Sequence, residues 1–324
     1  MGYLTKRSSI GYNRAVEDNR EKPVIPYVEG GRMSPTCVAV VGAEVAIATE
    51  ARVQLYRWGE TRPHWSQPVK GGVRAVAFTP SAVYVATETV LHRFPRRPFE
   101  PSQRYDLPLR TGAPTRLWAR EAQVGLLTER GGLWHATYPE MRWQLLELSK
   151  ASLTSVSVWQ RQAVVADTAG QVYRLELAPV RVVQRWEGGL GGVHDWAWHP
   201  EGRWVAAACA DGLVKLWSPE RGKLVQAFAS HRLPPLLIAV HPAGSQLVSY
   251  GMDGLLFIYD VVQGRARLDA PLRAPEGVAE ALALRWESAQ RLWLLAGSGF
   301  YACALPEGRW RAQAFQSERP KTTE

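Results

Sequence analysis

One order of parts occurs twice in succession in this chain. Residues 193–218 read VHDWAWHPEGRWVAAACADGLVKLWS: an alternating apolar run, a Pro-Gly turn, a second apolar run, an Asp-Gly turn, and a third run that brings in Trp217. Residues 236–260 repeat the order as LLIAVHPAGSQLVSYGMDGLLFIYD. Asp211-Gly212 becomes Asp253-Gly254, and Trp217 becomes Tyr259, each aromatic six residues after its aspartate. A unit that alternates with period two and is punctuated by Gly and Pro turns is a run of short antiparallel strands.

The order extends outward with less fidelity. First strands are expected to start near Ser34, Gly72, Gly112, Leu153, Gly192, Leu233 and Pro275. That spacing, about 40 residues, suits four-stranded propeller blades. The expected fold is therefore all-β, a seven-bladed β-propeller with four antiparallel strands per blade. A twisted blade cannot bury both faces alone, whereas a closed ring buries them all and leaves only short edges. The 14 Trp of the chain suit the wedges between blades. Residues 1–21 read as a flexible N-terminal extension, 22–317 as the propeller and 318–324 as a polar tail. Two segments compete to close the ring. KPVIPYVEGG (Lys22–Gly31) matches the fourth-strand pattern of Val180–Gly189, and RWRAQAF (Arg309–Phe315) could fill the same slot. The amino-terminal segment is favoured, with the C-terminal run as a peripheral strand.

With these repeats the chain resembles the WD40-repeat family over about 290 residues, most clearly in blades 5 and 6. The resemblance implies a hydrogen-bonded tetrad joining a His before the first strand, a Ser or Thr in the second, the turn Asp and the Trp of the third. In blade 6 these places are taken by His231, Ser249, Asp253 and Tyr259. Blade 5 keeps Asp211 and Trp217 but has Gly189 and Ala207 where His and Ser belong. Glu50 and Tyr56 stand at the Asp and Trp places of blade 1, Glu88 and Phe94 at those of blade 2. Blades 3, 4 and 7 are read as lacking the aspartate.

Little in the sequence points to catalysis. His194, His199, His231 and His241 lie close in sequence, but His199 and His241 each precede a proline in adjacent blades, too far apart to share a metal. EGGLGGVHD (Glu187–Asp195) lacks the Gly-Lys-Ser/Thr ending of a phosphate loop, and a strand follows it instead of a helix. There is no Gly-x-Ser-x-Gly elbow. No catalytic set, cofactor or small-molecule substrate is expected. Cys37, Cys209 and Cys303 are read as free, buried thiols in a reducing compartment, hence a cytoplasmic protein. No window of 18 uninterrupted apolar residues predicts a membrane span, and the first residues lack the apolar region of a secretory signal. Two asparagines, and 32 Arg against 7 Lys, fit a GC-rich, heat-adapted bacterial genome.

The formal charge is +9. A basic residue falls near six of the seven inter-blade turns: Arg32, Lys70, Arg110, Lys150, Arg232 and Arg273. If the blades align, these ring one end of the channel and add into a positive face. The expected function is a non-catalytic protein-interaction scaffold, a subunit of a larger bacterial complex, binding one or more proteins with an acidic surface. The alternatives are a nucleic-acid-associated subunit and an enzyme with its site at the channel. The run LHRFPRRPFEPSQRYDLPLR (Leu91–Arg110), five Arg among aromatics, is where a single strand could stack.

Overall fold

A computed structural model describes residues 37–97, 99–189, 191–266, 271–275, 278, 281–288, 290–305 and 307–315. Arg32, the two terminal segments and the candidate closing strand Lys22–Gly31 lie outside the described residues. The described chain forms seven consecutive antiparallel sheets, each with its strands in sequence order. They span 37–68, 75–106, 114–147, 153–187, 193–228, 235–273 and 281–314. We call them blades 1 to 7 and their strands a to d, from the channel outward. The a strands touch in ring order, and that of blade 7 meets that of blade 1.

Seven apolar clusters fill the ring, one in each wedge between neighbouring blades. Alternation explains the arrangement, because successive side chains of a strand point into the two wedges on either side of its blade. Val164 and Ala166 of blade 4 pack toward blade 5, while Ala163 and Val165 pack toward blade 3. Strand b is sandwiched on both faces, which is why it reads as an unbroken apolar run such as Val205–Cys209. A Trp is buried in, or packs against, every cluster.

Three expectations change. The fourth place in blade 7 belongs to Arg309–Ala314, which pairs with Gly299–Ala304 along its whole length. The C-terminal run is therefore the outer strand of that blade and not a peripheral one. Lys22–Gly31 carries a continuous apolar run whereas Arg309–Phe315 alternates, and Phe315 behind the latter enters the wedge between blades 7 and 1. The outer strand of blade 6 is split into Arg265–Ala266 and Leu272–Arg273, both paired with strand c. All three cysteines are free, but Cys37 is only half-buried, unlike Cys209 and Cys303.

Candidate functional site

Antiparallel order places the b–c turns and the d–a loops at one end of the ring, and the a–b and c–d loops at the other. Backbone hydrogen bonds tie the first end together within blades 1, 2, 3, 4 and 6. Val69 N donates to Ala51 O, Leu107 N to Thr89 O, Leu148 N to Gly131 O, Gly188 N to Gly170 O, and Ala274 N to Gly254 O. This d–a end carries the tetrad positions and the basic residues.

In blade 6 the structure brings the four tetrad residues together. His231 Nε2 lies 2.7 Å from Ser249 Oγ, and Nδ1 lies 3.3 Å from Asp253 Oδ1. Ser249 Oγ is 3.3 Å from the Tyr259 hydroxyl. Asp253 also accepts from Arg232 N and Leu255 N, so one carboxylate joins the d–a loop to the b–c turn. Burial holds the His231 pKa below its usual value against the pull of Asp253. The ring is thus neutral at physiological pH and works as a strut.

Blades 3 to 5 make the same junction with other residues. In blade 4, Asp167 at the end of strand b accepts from Ser149 Oγ at 2.7 Å, from Tyr173 at 3.1 Å and from Gln171 N at 2.9 Å. Blade 4, read as lacking the aspartate, does carry a bridging carboxylate: Asp167 opens the b–c turn, with Gly170 N donating to its carbonyl, two places ahead of the position that Asp253 takes in blade 6. The separation of Asp167 and Tyr173, the same six residues as in blades 5 and 6, was the available signal. In blade 5, Lys215 Nζ donates to Gly188 O at 2.8 Å and pairs with Asp211. A Cβ on Gly189, whose φ is +124°, would fall 2.4 Å from both that ammonium and Asp211. The Gly at the His place therefore makes room for the lysine. In blade 3, Trp134 Nε1 donates to Thr111 Oγ1 at 2.7 Å. Trp134, Tyr173, Lys215 and Phe257 hold one place in the register of strand c, opposite Leu126, Val165, Ala207 and Ser249.

The channel wall shows a second recurring device. Thr115 Oγ1 donates to Leu153 O at 2.8 Å, Thr154 Oγ1 is 3.3 Å from Val193 O, and His194 Nδ1 is 2.8 Å from Pro235 O. Each latch joins strand a to the first residue of the next strand a, linking blades 3, 4, 5 and 6. Beside His194, Asp195 accepts from Ile238 N of blade 6 and from Trp196 N. Burial pushes its carboxyl up to about 6 although those hydrogen bonds and Arg116 pull the other way. His199 accepts from Glu201 N and packs on Trp204, while His241 packs on Trp286, so each serves its own turn or wedge. Burial raises the thiols of Cys209 and Cys303 to about 12, so both stay protonated at neutral pH.

Of the basic residues, Lys70, Arg110, Lys150, Arg232 and Arg273 are all exposed at the d–a end. Arg232 and Arg273 flank the same Asp253-Gly254 turn, since Arg273 pairs with Leu255. Between them stand two exposed apolar side chains that the sequence did not single out, Leu233 at 49% and Met252 at 59% exposure. Met252 N donates to Pro234 O, which fixes them side by side. The Arg-rich run of blade 2 is partly engaged in packing. Arg93 is buried, bonded to Glu100 at 2.7 Å and stacked on Tyr138, and Arg96 makes a two-pronged bridge to Glu44 of blade 1.

Residues 180–218 match the WD domain, G-beta repeat family. The match begins on strand d of blade 4 and ends on strand c of blade 5, so the sequence repeat straddles two blades. Similar curated proteins include p21-activated protein kinase-interacting protein 1-like of Xenopus laevis, 29% identical over 19% of this chain and 17% of that one. WD repeat-containing protein 36 of Homo sapiens is 28% identical over 25% of this chain and 9% of that one. Target of rapamycin complex subunit wat1 of Schizosaccharomyces pombe is 28% identical over 28% of this chain and 29% of that one. The matched stretches thus span less than a third of each relative. Among solved structures, the WD40 β-propeller domain of Doa1 superposes with a TM-score of 0.64 at 15% identity, covering 83% of this chain and 92% of that one. A chain of the mitotic checkpoint complex gives 0.67 at 12% identity, covering 79% and 85%. No helix among the described residues is long and apolar enough to cross a membrane. A repeat matched in blade 5, a complete tetrad in blade 6 and WD-repeat relatives identify the chain as a WD40-repeat protein.

Proposed function

We propose that the chain is a non-catalytic interaction platform, a subunit of a larger assembly, that holds a protein partner against the d–a end of its ring. The observation carrying this reading is the exposed cationic set at that end, Lys70, Arg110, Lys150, Arg232 and Arg273, with the apolar pair Leu233 and Met252 between two of its members. Cations beside an exposed apolar pair suit a partner surface that carries both acidic and apolar side chains. Glu50 and Glu129 share this end and temper its field. The ionisable groups at the blade junctions, His231, Asp253, Asp167 and Lys215, hold loops together, which supports a rigid scaffold over a reactive site. WD-repeat relatives whose names include a kinase-interacting protein and a complex subunit agree with that role.

A phosphate backbone is the rival occupant of a cationic face, and the apolar pair favours protein. The test is capture from the native host by the purified chain, with and without Arg110, Arg232 and Arg273 changed together to Ser. The wild-type chain is expected to retain a defined protein set after nuclease treatment. The triple variant should lose that set while melting within about 2 °C of wild type, as expected for exposed sites. Equal capture by both proteins refutes the reading, and loss of all capture on nuclease treatment transfers it to nucleic acid.

A further inference from the structure

The outer strands of the seven blades are not equivalent as edges. Those of blades 1, 2 and 3 are four residues long: Trp65–Pro68, Gln103–Asp106 and Gln144–Glu147. That of blade 6 is split, and those of blades 4 and 5 carry bulges that leave Val183 and Val225 unpaired. Shortening, splitting and bulging all blunt an edge against further pairing. Strand d of blade 7, Arg309–Ala314, has none of these: six residues pair in unbroken register with Gly299–Ala304.

The face beside this edge is open and cationic. Arg309, Arg311 and Gln313 alternate along one face and line a groove of about 640 Å³ with Ala302, Ala304, Trp293 and Arg291. The small side chains of Ala302 and Ala304, opposite Arg311 and Arg309, leave the floor low. Arg291 is paired with Glu287, but the side chains of Arg309 and Arg311 make no hydrogen bond or ion pair among the described residues. Glu307 is the acidic member of the lining.

The geometry points to a docking site for an extended segment of a partner protein that adds as a fifth strand to blade 7 and carries acidic side chains at alternate positions. Backbone pairing would supply affinity, and the alternation would supply selectivity. Residues two apart on an added antiparallel strand lie roughly 7 Å apart on one face, the spacing of Arg309 and Arg311. This site is on the outer rim, separate from the d–a end, and does not rest on the function proposed for that end.

The probe is a labelled eight-residue peptide with Glu at alternate positions and Thr or Val between, titrated into the full chain and followed by fluorescence anisotropy. Binding should weaken as salt is raised, since the charges are exposed. A peptide of the same composition with its glutamates in one block should bind more weakly. Changing Arg309 and Arg311 together to Ala should cost about tenfold in affinity. The pair Arg309→Glu and Arg311→Glu should instead bind the matching Lys peptide, which shows that the variant edge is intact. The Arg110, Arg232 and Arg273 variant should bind the Glu peptide as wild type does. Failure of the full chain to bind it, as would follow if its own residues 22–31 held that edge, overturns the proposal. So do equal binding of the blocked peptide, loss of binding in the loop-end variant alone, and indifference to Arg309 and Arg311.

Discussion

Blades 3 to 6 and the seam between blades 7 and 1 solve the same closure problem with different chemistry. From blade 3 to blade 6, every loop–turn junction carries a polar bridge, and Thr115, Thr154 and His194 latch the channel strands together. At the wedge between blades 7 and 1, the packing is apolar and aromatic. Tyr56 lies 6.2 Å from Phe300 and 5.1 Å from Phe315, Trp58 lies 5.5 Å from Phe300, and Phe300 lies 5.3 Å from Phe315. Polar bridges specify one register because an unmade buried bond is costly. Aromatic packing is strong but tolerant of detail. The seam is where the described ends of the propeller meet, and there the ring needs strength more than register.

The largest break in this comparison is expected at the seam. Phe300 is fully buried and central to its ring contacts. Phe300→Ala should cost about 3–5 kcal/mol, read by urea unfolding. A loss under about 1 kcal/mol would mean that blades 7 and 1 are held by something other than this cluster.

Legibility in the sequence follows the same division. The repeat spacing and strand order exposed the fold, and His231, Ser249 and Asp253 could be placed because blade 6 keeps all three residue types at their spacing. Asp167, Lys215 and Trp134 escaped notice because the junction persists while its chemistry changes from blade to blade. Only the register of strand c shows that Lys215 and Trp134 share one place. Closure at blade 7 was illegible for a different reason. Apolar packing demands bulk more than one fixed pattern, and Lys22–Gly31, with a continuous apolar run, and Arg309–Phe315, with an alternating one, both supply it. The open groove beside Arg309 and Arg311 depends on the neighbouring Ala302 and Ala304 and on an unbroken edge, none of which a local pattern reveals.

A smaller and more discriminating test lies in blade 5. Lys215 is nearly buried and satisfied by Asp211 and Gly188 O. Removing the carboxylate strands a cation, whereas removing the cation leaves a more accessible carboxylate and a carbonyl. Asp211→Ala should therefore cost about 2–3 kcal/mol, and Lys215→Met under about 1 kcal/mol, in parallel urea titrations. Equal costs would mean that the bridge is solvated and that blade 5 belongs, energetically, with the apolar seam between blades 7 and 1.

The smallest expected effect concerns the channel carboxylate of the polar half, and it is read as a change with pH. The Asp195 carboxyl is raised by burial from 3.8 to about 6. Between those values the folded chain keeps a proton that the unfolded chain has lost. The contribution of this group is thus fully present below about pH 4 and is lost as pH rises through about 6. Above that, the buried charge is a net cost of at most about 3 kcal/mol, and less where solvent screens it. Asn cannot titrate, and its single acceptor oxygen serves only one of the two amides, Ile238 N and Trp196 N, that Asp195 bonds. Asp195→Asn should therefore be the less stable protein near pH 4.5 and gain steadily on wild type up to pH 7.5. His92, His199 and His231, whose pKa values burial lowers, titrate with the opposite sign, favouring the fold as pH rises. They are common to both proteins and cancel in the difference. Melting temperatures of the pair across this range give the slope directly. A flat difference would mean that water in the channel reaches the carboxylate. Asp195 would then serve blades 5 and 6 as a hydrogen-bond acceptor alone, without the cost of a buried charge.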